Sequence, residues 1–209
     1  MRVLLLSVFF VVFAFCAEGQ SFEGVVVYKN AYVSKIPQAK DEQFAALLGT
    51  KLEYSIKGGN YKSVLNGSYL QMTLFRQQEN KSYTKLATSD TLYWNDAAVA
   101  KEEVISHKIM KKQEKVMGIM CDALVVETKN SVTTYYFNSK YRVDPKLYTN
   151  HKFGNHDFVM DKTKSLYLKM VMETPQFTLI AIAQEVKRMK LDDSVFALPE
   201  GAVLKESSF

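Results

Sequence analysis

The sequence predicts a mainly β protein: a half-open, curved antiparallel sheet or barrel with one to three short helices over its concave face. Three observations predict it. From residue 22 to residue 186 the chain breaks into short runs of β-branched and aromatic residues. Turn residues such as Gly58-Gly59-Asn60, Asn66-Gly67 and Thr174-Pro175 separate them. The strands do not alternate with helices in βαβ fashion, which argues for antiparallel pairing. The third observation is a long hairpin, residues 166–186, that demands apolar cover. In its first arm Leu166, Leu168, Met170 and Met172 alternate with Tyr167, Lys169, Val171 and Glu173, the period of a pleated strand. Its second arm is apolar on both faces, with Phe177, Leu179, Ala181 and Ala183 on one and Ile180 and Ile182 on the other. Such a strand needs helices, a second layer or a ligand against each side.

The elements follow in order. Residues 1–15 carry one positive charge, Arg2, and then an apolar run broken only by Ser7; Ala17 and Gly19 supply small residues before Gln20. This is the pattern of a secretory signal peptide, and its run of about 13 residues is shorter than the ~20 that span a bilayer. We therefore expect a signal peptide over 1–20, a single domain over 21–209 without a transmembrane segment, and a periplasmic or otherwise extracytoplasmic location. Phe15 before Cys16 departs from the small residue that a lipoprotein signal places there.

The first strand is expected over 22–29. A helix is expected over 40–48, with Asp41 as cap and Gly49 as stop. Strands follow over 51–57, 61–65, 69–75, 81–86 and 91–94. Residues 95–103 fit a loop or a short helix, and 105–116 one or two strands. Further strands are expected over 121–127 and 132–137. Residues 138–165 have no clear period, and a long irregular segment of this kind is often a lid or a binding loop. The acidic turn at Asp192-Asp193 is expected to deliver Phe196 and Leu198 to the core.

Composition narrows the function. The net charge of +5 is unchanged by cleavage, because Arg2 and Glu18 leave together. No Lys/Arg block marks a nucleic-acid surface. Cys121 is the only cysteine after the leader, so no disulfide is expected, and its apolar strand makes it a buried structural thiol. The chain has no phosphate-binding glycine loop, no His-Glu-x-x-His or paired Cys-x-x-Cys, no EF-hand and no Gly-x-Ser-x-Gly elbow. His151, His156, Asp157 and Asp161 come nearest to a metal set, but no regular element fixes their geometry. We expect no catalytic residue, no metal and no cofactor. The positive signal is apolar: eight of nine Met, all twelve Tyr and nine of thirteen Phe lie beyond the leader, a composition suited to an adaptable apolar surface.

Several motifs together carry a resemblance. They are the exported leader, the opening Phe22-Glu23-Gly24, Gly118-Ile119-Met120-Cys121 leading into the next strand, and Tyr135-Tyr136-Phe137. The closure from Asp193 through Phe196 and Pro199 to Gly201 completes the set. The chain resembles exported proteins of Bacteroidetes related to the GLPGLI family, within the LolA-like lipoprotein-carrier superfamily. Residues 147–158 lack the Gly-Leu-Pro-Gly-Leu-Ile run that names one branch. The resemblance implies a half-open β-barrel whose helices cover an apolar cavity, and carriers of this kind shuttle lipoprotein acyl chains across the periplasm. Here the candidate lining residues are Phe177, Leu179, Ala181 and Ala183, where the alanines leave room, with Met170, Met172 and Phe75 beside them. The expected function is a non-enzymatic binding or carrier protein for a hydrophobic ligand or lipoprotein acyl chain. The alternative is an envelope interaction domain with a solid core that meets a protein partner through an open sheet edge.

Overall fold

One continuous sheet holds every strand of the computed structural model, which describes residues 21–208. The expected leader therefore lies outside the described residues. In chain order the strands are β1 (Gly24–Ser34), β2 (Lys51–Lys57), β3 (Asn60–Leu65), β4 (Leu70–Arg76), β5 (Lys81–Leu86) and β6 (Thr91–Asp96). They continue as β7 (Ser106–Val116), β8 (Ile119–Glu127), β9 (Val132–Arg142), β10 (Ser165–Glu173), β11 (Phe177–Arg188) and β12 (Val203–Glu206). The spatial order is β12-β6-β5-β4-β3-β2-β1-β11-β10-β9-β8-β7. The sheet is curved and open, and antiparallel except where β12 joins β6 in parallel. No residue pattern over 203–206 predicts that last strand: all four of its residues are exposed.

Two runs of hairpins meet where β1 pairs with β11. Gly58 and Gly59 join β2 to β3 with φ of 54° and 88°, the left-handed pair that a two-residue hairpin turn requires. Gly24 opens β1 at φ 149°, where a Cβ would stand 2.0 Å from the Lys187 carbonyl oxygen. Only glycine lets β1 and β11 approach so closely.

Helix α1 (Asp41–Leu48) and helix α2 (His156–Thr163) lie outside the sheet. Asp41 is the first helical residue rather than the cap; its carboxylate accepts a hydrogen bond from the Ser34 N–H at 2.7 Å, and Gln43 Oε1 accepts from the Lys40 N–H at 2.8 Å. Gly49 ends the helix as expected, its N–H donating to the Ala45 carbonyl. Residues 97–103 form turns and bends and no helix: β6 runs on to Asp96, and Ala97 is buried with its carbonyl accepting from the Lys152 and Phe153 N–H groups. Residues 138–142 extend β9, and the rest of the irregular segment becomes 3-10 turns Pro145–Tyr148 and Phe153–Asn155 followed by α2.

Each face of the sheet has its own cover. Val26, Tyr28, Ile56, Phe75, Leu168 and Ala183 form a core with Val143, Tyr148 and Met160 from the segment that follows β9. At the other end of this face α1 sits over β1, with the Phe44 ring 4.9 Å from that of Phe177 and tilted 42° to it. Opposite, Leu74, Tyr83 and Leu92 are covered by Leu191 and Phe196, with Leu198 beside them. Asp192 sets this closure by accepting from the Ser194 N–H at 2.8 Å. Cys121 is a buried free thiol, and burial pushes its pKa up.

Candidate functional site

The register of three strands builds a cavity. Met170 stands opposite Ala181, and Ala181 opposite Asn30; Met172 stands opposite Leu179, and Leu179 opposite Tyr32. Residues paired across a ladder share a face, so each rung runs unbroken from β10 through β11 to β1. Ala181 is the small member of its rung. Space remains above it because the facing helix α1 supplies only Leu48 at that point. The resulting cavity is about 260 Å³ and is lined by Met170, Met172, Phe177, Leu179 and Ala181. Leu52 of β2, Ser63 and Leu65 of β3, Leu70 and Thr73 of β4, and Tyr167 of β10 complete its wall with Asn30, Tyr32 and Leu48.

Five of the seven residues expected to line a cavity do line this one; Phe75 and Ala183 do not. Phe75 is fully buried on β4 among aromatic rings, 4.0 Å from His151 and 5.3 Å from Tyr61 by centroid. Ala183 is 1 % exposed, directly opposite Tyr28, whose ring takes up the space that the alanine leaves. The wall from β1 to β4 carries no signal in local sequence, since Asn30, Leu52 and Leu65 come together only by pairing across the sheet. Met117 and Met120, grouped with the apolar signal, are instead exposed at the turn between β7 and β8.

A second cavity of about 270 Å³ lies on the far side of β10, lined by Thr133 and Tyr135 of β9, Val126 of β8, Phe153 and Val159 of the covering segment, the charged Lys101 and Glu102 of the loop after β6, and again Met172. Met172 is common to both walls. Its unbranched thioether is among the most adaptable of core side chains.

The loop histidines point inward instead of into solvent. His151 is 1 % exposed, and its Nε2 lies 2.8 Å from the Tyr61 hydroxyl. Its ring stacks on His156 with centroids 4.5 Å apart and planes at 26°. Stacked rings aim their nitrogen lone pairs along parallel planes, an arrangement unsuited to sharing one metal ion. Asp157 pairs with Lys152, and Asp161 with Lys162 at 3.1 Å. Burial depresses the His151 pKa from 6.5 to about 4 and that of His156 well below its usual value. Both are neutral at pH 7. Burial also raises the Tyr61 and Tyr148 phenols above their ordinary range.

Among the described residues no helix is long and apolar enough to cross a membrane. No family profile and no curated protein matches the chain. Solved structures do. Two structures of PNGF-II share 10% and 12% identity with it at a TM-score of 0.50, each over 88% of this chain. The chain spans about a third of the PNGF-II chain, 32% and 31% respectively. LprF from Mycobacterium bovis aligns over 86% of this chain and 90% of its own, at 11% identity and a TM-score of 0.36. At such identities the likeness to PNGF-II is one of fold alone.

Proposed function

We propose that this protein is a non-enzymatic binding or carrier protein for a hydrophobic ligand, a lipid or the acyl chain of a lipoprotein, working outside the cytoplasm in the cell envelope. The observation that carries this is the cavity on the helix-covered face, with nine aliphatic, thioether or phenyl side chains in its wall and no charged one. A self-filled core would leave no such space. Each of the two cavities is slightly below the ~300–1,000 Å³ of small-molecule sites. A rotamer change of Met172 would widen the first toward that range. Each methylene buried contributes about 0.8 kcal/mol, so a chain of ten carbons is enough for firm retention. Helix α1, resting on Phe177 through Phe44, is the element that would move to admit it. The LolA-like motifs of the sequence and its leader-like N-terminus support the same proposal.

The test is native mass spectrometry of protein purified from a membrane-containing host, with solvent extraction of whatever accompanies it. A lipid or acyl species at near-stoichiometric occupancy, lost in Ala181→Phe, is the expected result. An apo mass unchanged by added fatty acid, monoacylglycerol or lipopeptide would overturn the proposal and leave an interaction domain in its place.

A further inference from the structure

One residue of this cavity's wall carries a buried polar atom without a partner. Asn30 is 4 % exposed and lines the cavity, and its Oδ1 meets no donor among the described residues. Its orientation is set by the neighbours of the amide nitrogen. Nδ2 lies 3.4 Å from the Gly49 carbonyl oxygen, which also accepts from the Tyr32 hydroxyl at 3.0 Å. Reversing the amide would set oxygen against oxygen at Gly49, so the carbonyl end remains turned away from it. An acceptor removed from water and left unpaired is costly. The wall offers it nothing: the hydroxyls of Ser63, Thr73 and Tyr167 make no hydrogen bond to it, and no Lys or Arg lines the cavity.

We infer that the ligand carries an uncharged hydrogen-bond donor, a hydroxyl or an amide N–H, that bonds to Asn30 Oδ1 while its chain fills the apolar space. A carboxylate head would bring a second acceptor and an unpaired charge to a site without a cation, which is strongly unfavourable. An ammonium head would lack the carboxylate that it needs, since no Asp or Glu lines the cavity. The ligand class is therefore a single-chain neutral amphiphile, such as a monoacylglycerol or an N-acyl amide, rather than a fatty-acid anion. This assignment rests on the cavity being the ligand site.

Isothermal titration with three lipids of equal chain length, below their aggregation concentrations, tests it. Monolauroylglycerol supplies the donor, methyl laurate lacks it, and laurate at pH 8 is the anion. The expected result is about tenfold tighter binding of monolauroylglycerol than of either other lipid, the weight of one buried acceptor satisfied. Asn30→Leu should abolish that preference while all three still bind. Equal or tighter binding of laurate, or a preference that survives Asn30→Leu, would overturn the head-group assignment. In that case a loss of all binding in Ala181→Phe would leave the cavity itself standing as the ligand site. If none of the three lipids binds, the cavity proposal and this one fall together. Should Asn30→Leu not fold, the ranking of the three lipids on the native protein decides the matter alone.

Discussion

His151 and His156 lie stacked in a nest of rings, Tyr61, Phe75 and Tyr148, with His151 Nδ1, His156 Nε2 and the Tyr148 hydroxyl all buried without partners. Charging either imidazole there is unfavourable, and stability must follow pH accordingly. The unfolded chain takes up protons near pH 6.5 while folded His151 resists until about pH 4. Between those values the unfolded state binds more protons, so stability is fully present above pH 6.5 and is lost as pH falls toward 4. For His151 the full loss is about 3 kcal/mol. The paired carboxylates Glu102, Asp122 and Asp192, held below their usual range by hydrogen bonds, act only at lower pH. Urea midpoints at pH 7.5, 6.5, 5.5 and 4.5 should therefore fall below pH 6.5 in the native protein. They should stay level over that window in His151→Gln/His156→Gln, whatever its starting stability. Parallel falls in both proteins would assign the effect to other groups.

At the scale of elements, the sheet and its covers differ in how firmly they are held. β1, β10 and β11 are central strands with a paired neighbour on both sides. Helix α1 has eight residues, none of them buried, and rests mainly on β1 and on the Phe44–Phe177 contact. A helix so short is marginal by itself and depends on that packing. Its amides should exchange with solvent at least tenfold faster than those of β1, a local opening rather than a global one. Bound monolauroylglycerol should slow them by replacing solvent beneath Leu48. Protection of α1 equal to that of β1 in the free protein would show that the helix is no lid. The same contrast explains what was legible locally. The 51–57 and 81–86 strands could be read residue for residue from alternation and turn chemistry. The 3-10 turns and the bounds of α2 could not, because the inward face of α2, His156, Val159, Met160 and Thr163, is half polar and leaves no apolar stripe in the sequence.

For the whole molecule, the open sheet has two edges, β7 and β12. β7 carries Lys108, Lys111, Lys112 and Lys115 and a register break between Met110 and Glu114, with Lys112 at φ 51°. Charge and a bulge are standard protection for an edge strand. β12 is four exposed residues laid in parallel on β6. Deleting residues 203–209 should cost about 1 kcal/mol or less but uncover β6, so light scattering should show concentration-dependent association while circular dichroism stays unchanged. Loss of the fold on this deletion would mean that β12 is a structural member and not only an edge guard.

By itself the sequence determined that the chain is a meander of short antiparallel strands, that the 166–186 hairpin needs cover on both faces, and that Phe196 closes the core. These are matters of side-chain period and turn chemistry, which neighbouring residues carry among themselves. Tertiary structure alone decided which apolar positions face empty space and which face a ring. Ala181 and Ala183 are two residues apart on one strand face, yet one floors a cavity and the other is filled by Tyr28. That difference, like the unpaired oxygen of Asn30, arises from strands far apart in sequence, because only pairing across the sheet sets what stands opposite each residue.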